Sequence, residues 1–307
     1  PDYTGVMGLN NFDDSWGIWG HNLRKVLGDN VDKVYATIHG KTDDSQLCFS
    51  SEEMYRQIEN YIVDNIGEKV SSRFVIAPDD TPYACTCASC TAMGNTEKNA
   101  TPAVTELLLR LSQRFPKHSF FTISYLSTKQ VTDKQLPSNA GIIVSAIDFP
   151  LRRIDGKNAQ EKKFMQQLNQ WKKVTKNIYI WDYINNFDDY LTPFPILKIA
   201  QQRLRFFKQN AASGIFFNGS GYSYSSFDAM RTFVLSALLI NPELPVEELV
   251  RDYFNQEYPL SKKWLYDYYI NLENSVQSGK KLGIYVGIAE LEQSFLNPEK
   301  FIKFYDE

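Results

Sequence analysis

Histidine and cysteine are scarce in this 307-residue chain, which has three of the first and four of the second. No His-x-x-x-His or His-Glu pairing occurs, so a catalytic zinc held by helix-borne histidines is excluded. No Gly-x-Ser-x-Gly elbow, Walker loop or Gly-x-Gly-x-x-Gly turn is present, which removes the main support for serine hydrolase, nucleotide-hydrolysing and dinucleotide-binding readings. Charge of one sign is not in excess: 33 Lys plus Arg stand against 36 Asp plus Glu, a net charge of -3. That balance argues against a surface built for polyanions, so no nucleic-acid partner is expected. No apolar run approaches the ~18–20 residues that span a bilayer. No basic-then-apolar leader opens the chain, and a start at Pro1 is expected of a processed or excised chain.

What is abundant is aromatic: 18 Tyr, 20 Phe and 5 Trp. Rings fill cores, and rings lining a cleft suit sugars, whose C–H faces stack on them. With 43% hydrophobic and 22% charged residues the chain can bury a large core. Its length is compatible with two domains or with one α/β barrel.

Short apolar runs rich in β-branched and aromatic residues recur at Val6–Leu9, Val34–Ile38, Phe74–Ala77, Phe120–Tyr125, Ile142–Ile147, Ile178–Trp181 and Gly214–Phe217. Strands buried on both faces of a parallel sheet read this way. Between several of them lie amphipathic helical stretches, near 51–65, from Thr101-Pro102 onward, at 164–174 and at 196–209. Alternation of this kind predicts parallel strands with helical crossovers. Polar residues cluster just after the strands, at His39, Asp79-Asp80, Tyr125, Asp148, Asp182-Tyr183 and Asn218. Such strand ends converge on one mouth in a TIM barrel, so the expected fold is a TIM (β/α)8-like barrel with a missing or irregular first strand. The expected division is a barrel over 1–225 and a last barrel helix plus appended helices over 226–307.

Asp79-Asp80 ends an apolar strand. Two carboxylates held close in a dry site raise one pKa, and a protonated carboxyl can protonate a glycosidic oxygen. Asp before Thr-Pro is also an ordinary turn or N-cap residue. Cys48, Cys85, Cys87 and Cys90 have spacing for a four-thiolate structural zinc, with two disulfides as the rival reading. Either would pin the loop after Asp80. No organic cofactor is expected. Trp181 offers a ring platform, and Asp182, Tyr183 and Asn218 offer hydrogen bonds to hydroxyls. His21 and His39 are within reach of the mouth, whereas His118 precedes a strand and is expected at the opposite end.

Leu47-Cys48-Phe49-Ser50, Pro78-Asp79-Asp80 with Cys85-x-Cys87-x-x-Cys90, and Trp181-Asp182-Tyr183 with Phe187 and Pro193-Phe194-Pro195 together resemble the domain of unknown function 4838 family. The resemblance runs from about Trp16 to about Tyr269. It implies an extracytoplasmic bacterial protein (periplasmic, secreted or on the cell surface) with a barrel akin to β-N-acetylhexosaminidases and α-glucuronidases. Asp80 is the better-matched acid, and Asp-Asp rather than Asp-Glu departs from the hexosaminidase pattern while resembling the O-linked N-acetylglucosaminidase type. The expected activity is glycoside hydrolysis with Asp80 as acid/base and Asp79 as its partner, with substrate assistance of the hexosaminidase kind as one route. Tyr125, Asp148, Trp181, Asp182, Tyr183, His39 and Asn218 would bind an oligo- or polysaccharide. The alternative is a barrel that holds sugar without cleaving it.

Overall fold

The computed structural model describes residues 16–28, 31–219, 225–276 and 281–306. The expected strand Val6–Leu9 lies outside them. The chain first forms an antiparallel hairpin, β1 (Tyr35–Ile38) and β2 (Lys41–Leu47). His39 and Gly40 connect the two, at φ 50° and 77°. Positive φ at both positions matches the twist of a two-residue hairpin turn. The run at 34–38 is therefore not a strand of the parallel sheet, as its apolar composition suggested. The polar residues of Lys41–Leu47 pair with it instead.

Helix α1 (Glu52–Tyr61) follows, its N-terminus capped by Ser51, whose Oγ accepts the Met54 N–H at 3.2 Å. Next come β3 (Arg73–Val75), α2 (Ala88–Met93), α3 (Thr101–Arg114), β4 (Ser119–Ser124) and β5 (Ala140–Ser145). After α4 (Ala159–Trp171), β6 (Ile178–Tyr183), α5 (Leu197–Gln209) and β7 (Gly214–Asn218), the described strands end. β3 to β7 form one parallel sheet in sequence order.

This half-barrel corrects the expectation of a closed TIM-like barrel. Closure requires each strand to be paired on both sides. Beyond β3 there is only the single parallel bridge Ile18–Phe74, and among the described residues no second strand pairs with β7. Gly17 permits that bridge, because a Cβ there would lie 2.2 Å from the Phe74 ring.

Side chains alternate across the sheet. Ile142, Val144, Ile178 and Ile180 face helices, packing with Phe164, Leu168, Trp171 and Phe207. The opposite face carries Trp16, Trp19, Val75, Phe121 and Ile143, with Tyr125, Tyr179, Trp181 and Phe216 packed against them. His118 lies before β4, fully buried, with its Nδ1 accepting the Ser72 N–H at 3.2 Å. Burial pulls its pKa down.

The helices α6 (Asp228–Ile240), α7 (Val246–Glu257) and α8 (Lys262–Ser275) share an apolar cluster with α5 that includes Leu204, Val234, Leu238, Val250, Phe254 and Tyr269. Glu273 of α8 caps α5 from this core, accepting the N–H groups of Leu197 at 2.8 Å and Lys198 at 3.1 Å. Two shorter helices, α9 (Ile288–Ser294) and α10 (Pro298–Asp306), end the chain. Among the described residues no helix is long and apolar enough to cross a membrane.

Candidate functional site

The C-terminal ends of β3 to β7 bring several of the expected residues to one rim. Asp80 follows β3, Tyr125 follows β4, Ser145 ends β5, Tyr183 ends β6 and Asn218 ends β7. Tyr183 and Asn218 are register partners. Asp80 is exposed, while Tyr125, Tyr183 and Asn218 are half-buried. The Tyr125 hydroxyl lies in the field of the Asp80 carboxylate. Its pKa is pushed up to about 12, first by burial and then by that carboxylate. Burial also raises Tyr183, against a lowering hydrogen bond from Ser145, and the charges of Tyr285 and Asp80 add to the rise.

Below the rim the aromatic face forms a floor. Trp19 and Trp181 stack at 5.3 Å between centroids and 6° between planes, and Phe216 meets Trp181 edge-on at 4.7 Å. The buried Trp181 Nε1 has no hydrogen-bond partner among the described residues. His21 stands beside this floor, its ring 6.1 Å from Tyr125 and 6.5 Å from Trp181. His21 Nδ1 lies 2.6 Å from the Pro78 carbonyl oxygen. A carbonyl only accepts, so Nδ1 carries a proton, and a neutral ring in this tautomer has its lone pair on Nε2.

The other expected acids are matched by cations. Asp79 accepts from Arg24, Nε at 2.8 Å and a terminal nitrogen at 2.6 Å. The neighbouring carboxylates of Asp79 and Asp80 therefore answer to different partners. Asp148 is exposed and pairs with Lys129. Asp182 is fully buried and bonds Arg203 of α5 through both oxygens. It sits between Trp181 and Tyr183 in β6, so alternation turns it away from their face. This corrects the expectation that all three residues line one subsite. No Lys, Arg or His nitrogen among the described residues forms an ion pair with Asp80. His39 is likewise not brought to the rim. It lies in the hairpin turn, exposed, near Glu97 at 3.6 Å and the Tyr83 ring at 5.8 Å.

The cysteines come together beside the Asp79-Asp80 loop. All four Sγ atoms lie within 4.8 Å of one another, and none is in a disulfide. Cys48 is 3.7 Å from Cys87 and 3.8 Å from Cys90. Thiolates bound to one tetrahedral zinc at ~2.3 Å would be ~3.8 Å apart, so the sulfurs fit such an ion. Backbone N–H groups point at the sulfurs, from Thr37 to Cys85 at 3.2 Å and from Cys90 to Cys87 at 3.5 Å. Ser50 Oγ adds a contact to Cys90 at 3.1 Å. Hydrogen bonding among the sulfurs splits their acidities. Cys85 is pulled down by Cys48 and Cys90, and Cys48 and Cys90 are pushed up.

Arg24, Gln46, Ser145 and Tyr285 were not singled out in the sequence. Gln46 ends the polar run of β2, and nothing in that run marks it as buried. Arg24 and Tyr285 carried no signal, since each reaches the site from a segment distant in the chain.

Fold and site together define a parallel α/β half-barrel with an aromatic floor, an acid at its rim that forms no ion pair among the described residues, and a four-cysteine brace. The model of the domain of unknown function family DUF4838 matches residues 25–271, and the chain belongs to that family. No curated protein matches it.

Proposed function

We propose that this chain is a glycoside hydrolase acting on an extracytoplasmic glycan, with Asp80 as general acid/base. The observation that carries the reading is Asp80 itself, an acid past a strand end that has hydroxyl neighbours and, among the described residues, no ion-pair partner. Asp80 forms no ion pair among the described residues, whereas Asp79, Asp148 and Asp182 pair with Arg24, Lys129 and Arg203. Trp181, Tyr125, Tyr183 and Asn218 form the sugar subsite, joined by the Nε2 lone pair of His21. Asp79 acts as the counter-charge of Arg24 and holds the strand end.

Two-carboxylate hydrolysis needs a second free acid about 5–9.5 Å from the first. Of the carboxylates named above, Asp79, Asp148 and Asp182 are all ion-paired. That supports a mechanism in which the substrate's own 2-acylamino group supplies the nucleophile. Aryl glycosides with and without a 2-acetamido group test this. Turnover confined to the acetamido sugars is expected, and turnover of the 2-hydroxy sugars alone would sink it. The same pairing of acids favours a second reading, a barrel that binds sugar without cleaving it. Binding without turnover over the whole panel selects that reading.

Zinc is the metal we assign to the cysteines, in a structural role, because four thiolates close its coordination shell. A metal-thiolate cluster also keeps the sulfurs from oxidising in the periplasm, on the cell surface or in secretion.

A further inference from the structure

We infer that Gln46 is the positioning residue that sets the Asp80 loop, acting as the link between that loop and the cysteine brace. Gln46 is 1% exposed, yet its side chain is fully used. Its Nε2 donates to the Asp79 carbonyl at 3.3 Å, Thr81 Oγ1 at 3.1 Å and the Tyr83 carbonyl at 3.3 Å. Its Oε1 accepts the N–H groups of Asp79 at 3.0 Å and Leu47 at 2.9 Å. Asp80 is thus flanked on both sides by residues bonded to one amide. Arg24 holds the same segment from the other side, through the Asp79 carboxylate.

The amide is itself anchored. Two residues on, Cys48 leaves β2 to meet Cys87 and Cys90, and Cys85 lies two residues past Tyr83. The end of β2 therefore grips the segment from Asp79 to Cys90 twice, through Gln46 at its start and through sulfur at its end. A buried amide with this many partners is costly to replace, because the loop groups it serves lose their bonds without gaining water. Asp80 is exposed and forms no ion pair among the described residues. Its place near Tyr125 follows from the backbone on either side.

This inference rests on Asp80 being the working acid, but its test reads the loop rather than turnover. The experiment is amide hydrogen exchange across residues 78–84 of the full chain, in the native protein and in Gln46→Met and Gln46→Glu. Methionine keeps the length and loses the hydrogen bonds. Exchange of the Asp79 amide is expected to rise about tenfold in Gln46→Met, with metal content held and the melting temperature lowered. Glutamate can donate only when protonated. Protection in Gln46→Glu, measured against the native chain at each pH, is expected to recover as pH falls, which a loss of packing alone would not produce. An Asp79 amide that exchanges freely in the native chain, or stays protected in Gln46→Met, overturns the inference. The first of these needs no variant to fold. A native chain with a protected loop and no action on any glycoside would instead count against the hydrolase reading and leave Gln46 in its place.

Discussion

Asp182 and Arg203 form a bidentate ion pair under the sheet, with exposures of 0% and 1%. Arg203 also donates to the carbonyls of Phe149 at 3.1 Å and Pro150 at 3.0 Å, and its guanidinium lies 4.4 Å over the Phe149 ring. The pair fastens α5 to β6 and to the turn after β5. Removing one partner strands a buried charge, so Arg203→Met should cost about 3–5 kcal/mol in urea unfolding. Replacing both, as Asp182→Leu with Arg203→Met, should recover most of that loss. If the single variant melts like the native chain, the pair is not holding these elements.

Asp182 also shows where the sequence is readable and where it is not. Uninterrupted apolar runs such as Ile142–Val144 mark the parallel strands because both faces are buried. The same runs do not reveal which strands pair, and Val34–Ile38 joins a hairpin because His39-Gly40 takes a turn whose two positive φ values only coordinates display. The rim acids Asp79 and Asp80 are legible as strand-end residues. Their separation into a paired and an unpaired carboxylate depends on Arg24, 55 positions from Asp79 in the chain. For Asp182, two-residue alternation in Trp181-Asp182-Tyr183 already implied the opposite face.

The cysteine brace predicts one zinc per chain by elemental analysis. Four thiols should resist modification until a chelator is added, and then react. Cys85→Ser should lose the metal and lower the melting temperature, since a structural zinc contributes folding energy. Two disulfides would leave neither metal nor titratable thiol.

Burial raises Tyr125, Tyr183, Tyr253, Tyr268 and Tyr269 above their ordinary value, with Tyr125 near 12. In the unfolded chain tyrosine ionises near 10. Above that pH the unfolded state sheds protons that the folded state keeps, so stability falls as pH rises from about 10 to 12. Unfolding midpoints across this window should decline. Asp80→Asn removes a raising charge, and absorbance difference titration against Tyr125→Phe should then find Tyr125 ionising at lower pH. An unchanged Tyr125 titration in Asp80→Asn would mean the two side chains are not neighbours.

Asp148 is exposed and paired with Lys129, and His39 is exposed in the hairpin turn. Surface pairs of this kind contribute little, so Asp148→Asn and His39→Ala should each change stability by less than about 1 kcal/mol. Turnover and sugar affinity should also be kept. A large loss of either from Asp148→Asn would return that residue to the site.

The most direct measurement is the turnover of Asp80→Asn against the native chain on aryl 2-acetamido glycosides with leaving groups of graded acidity. Loss of the proton donor should lower turnover by about 10²–10⁴-fold on the poorest leaving groups and far less on the best, with sugar affinity kept. Native-level turnover in Asp80→Asn across the whole series would contradict the assignment.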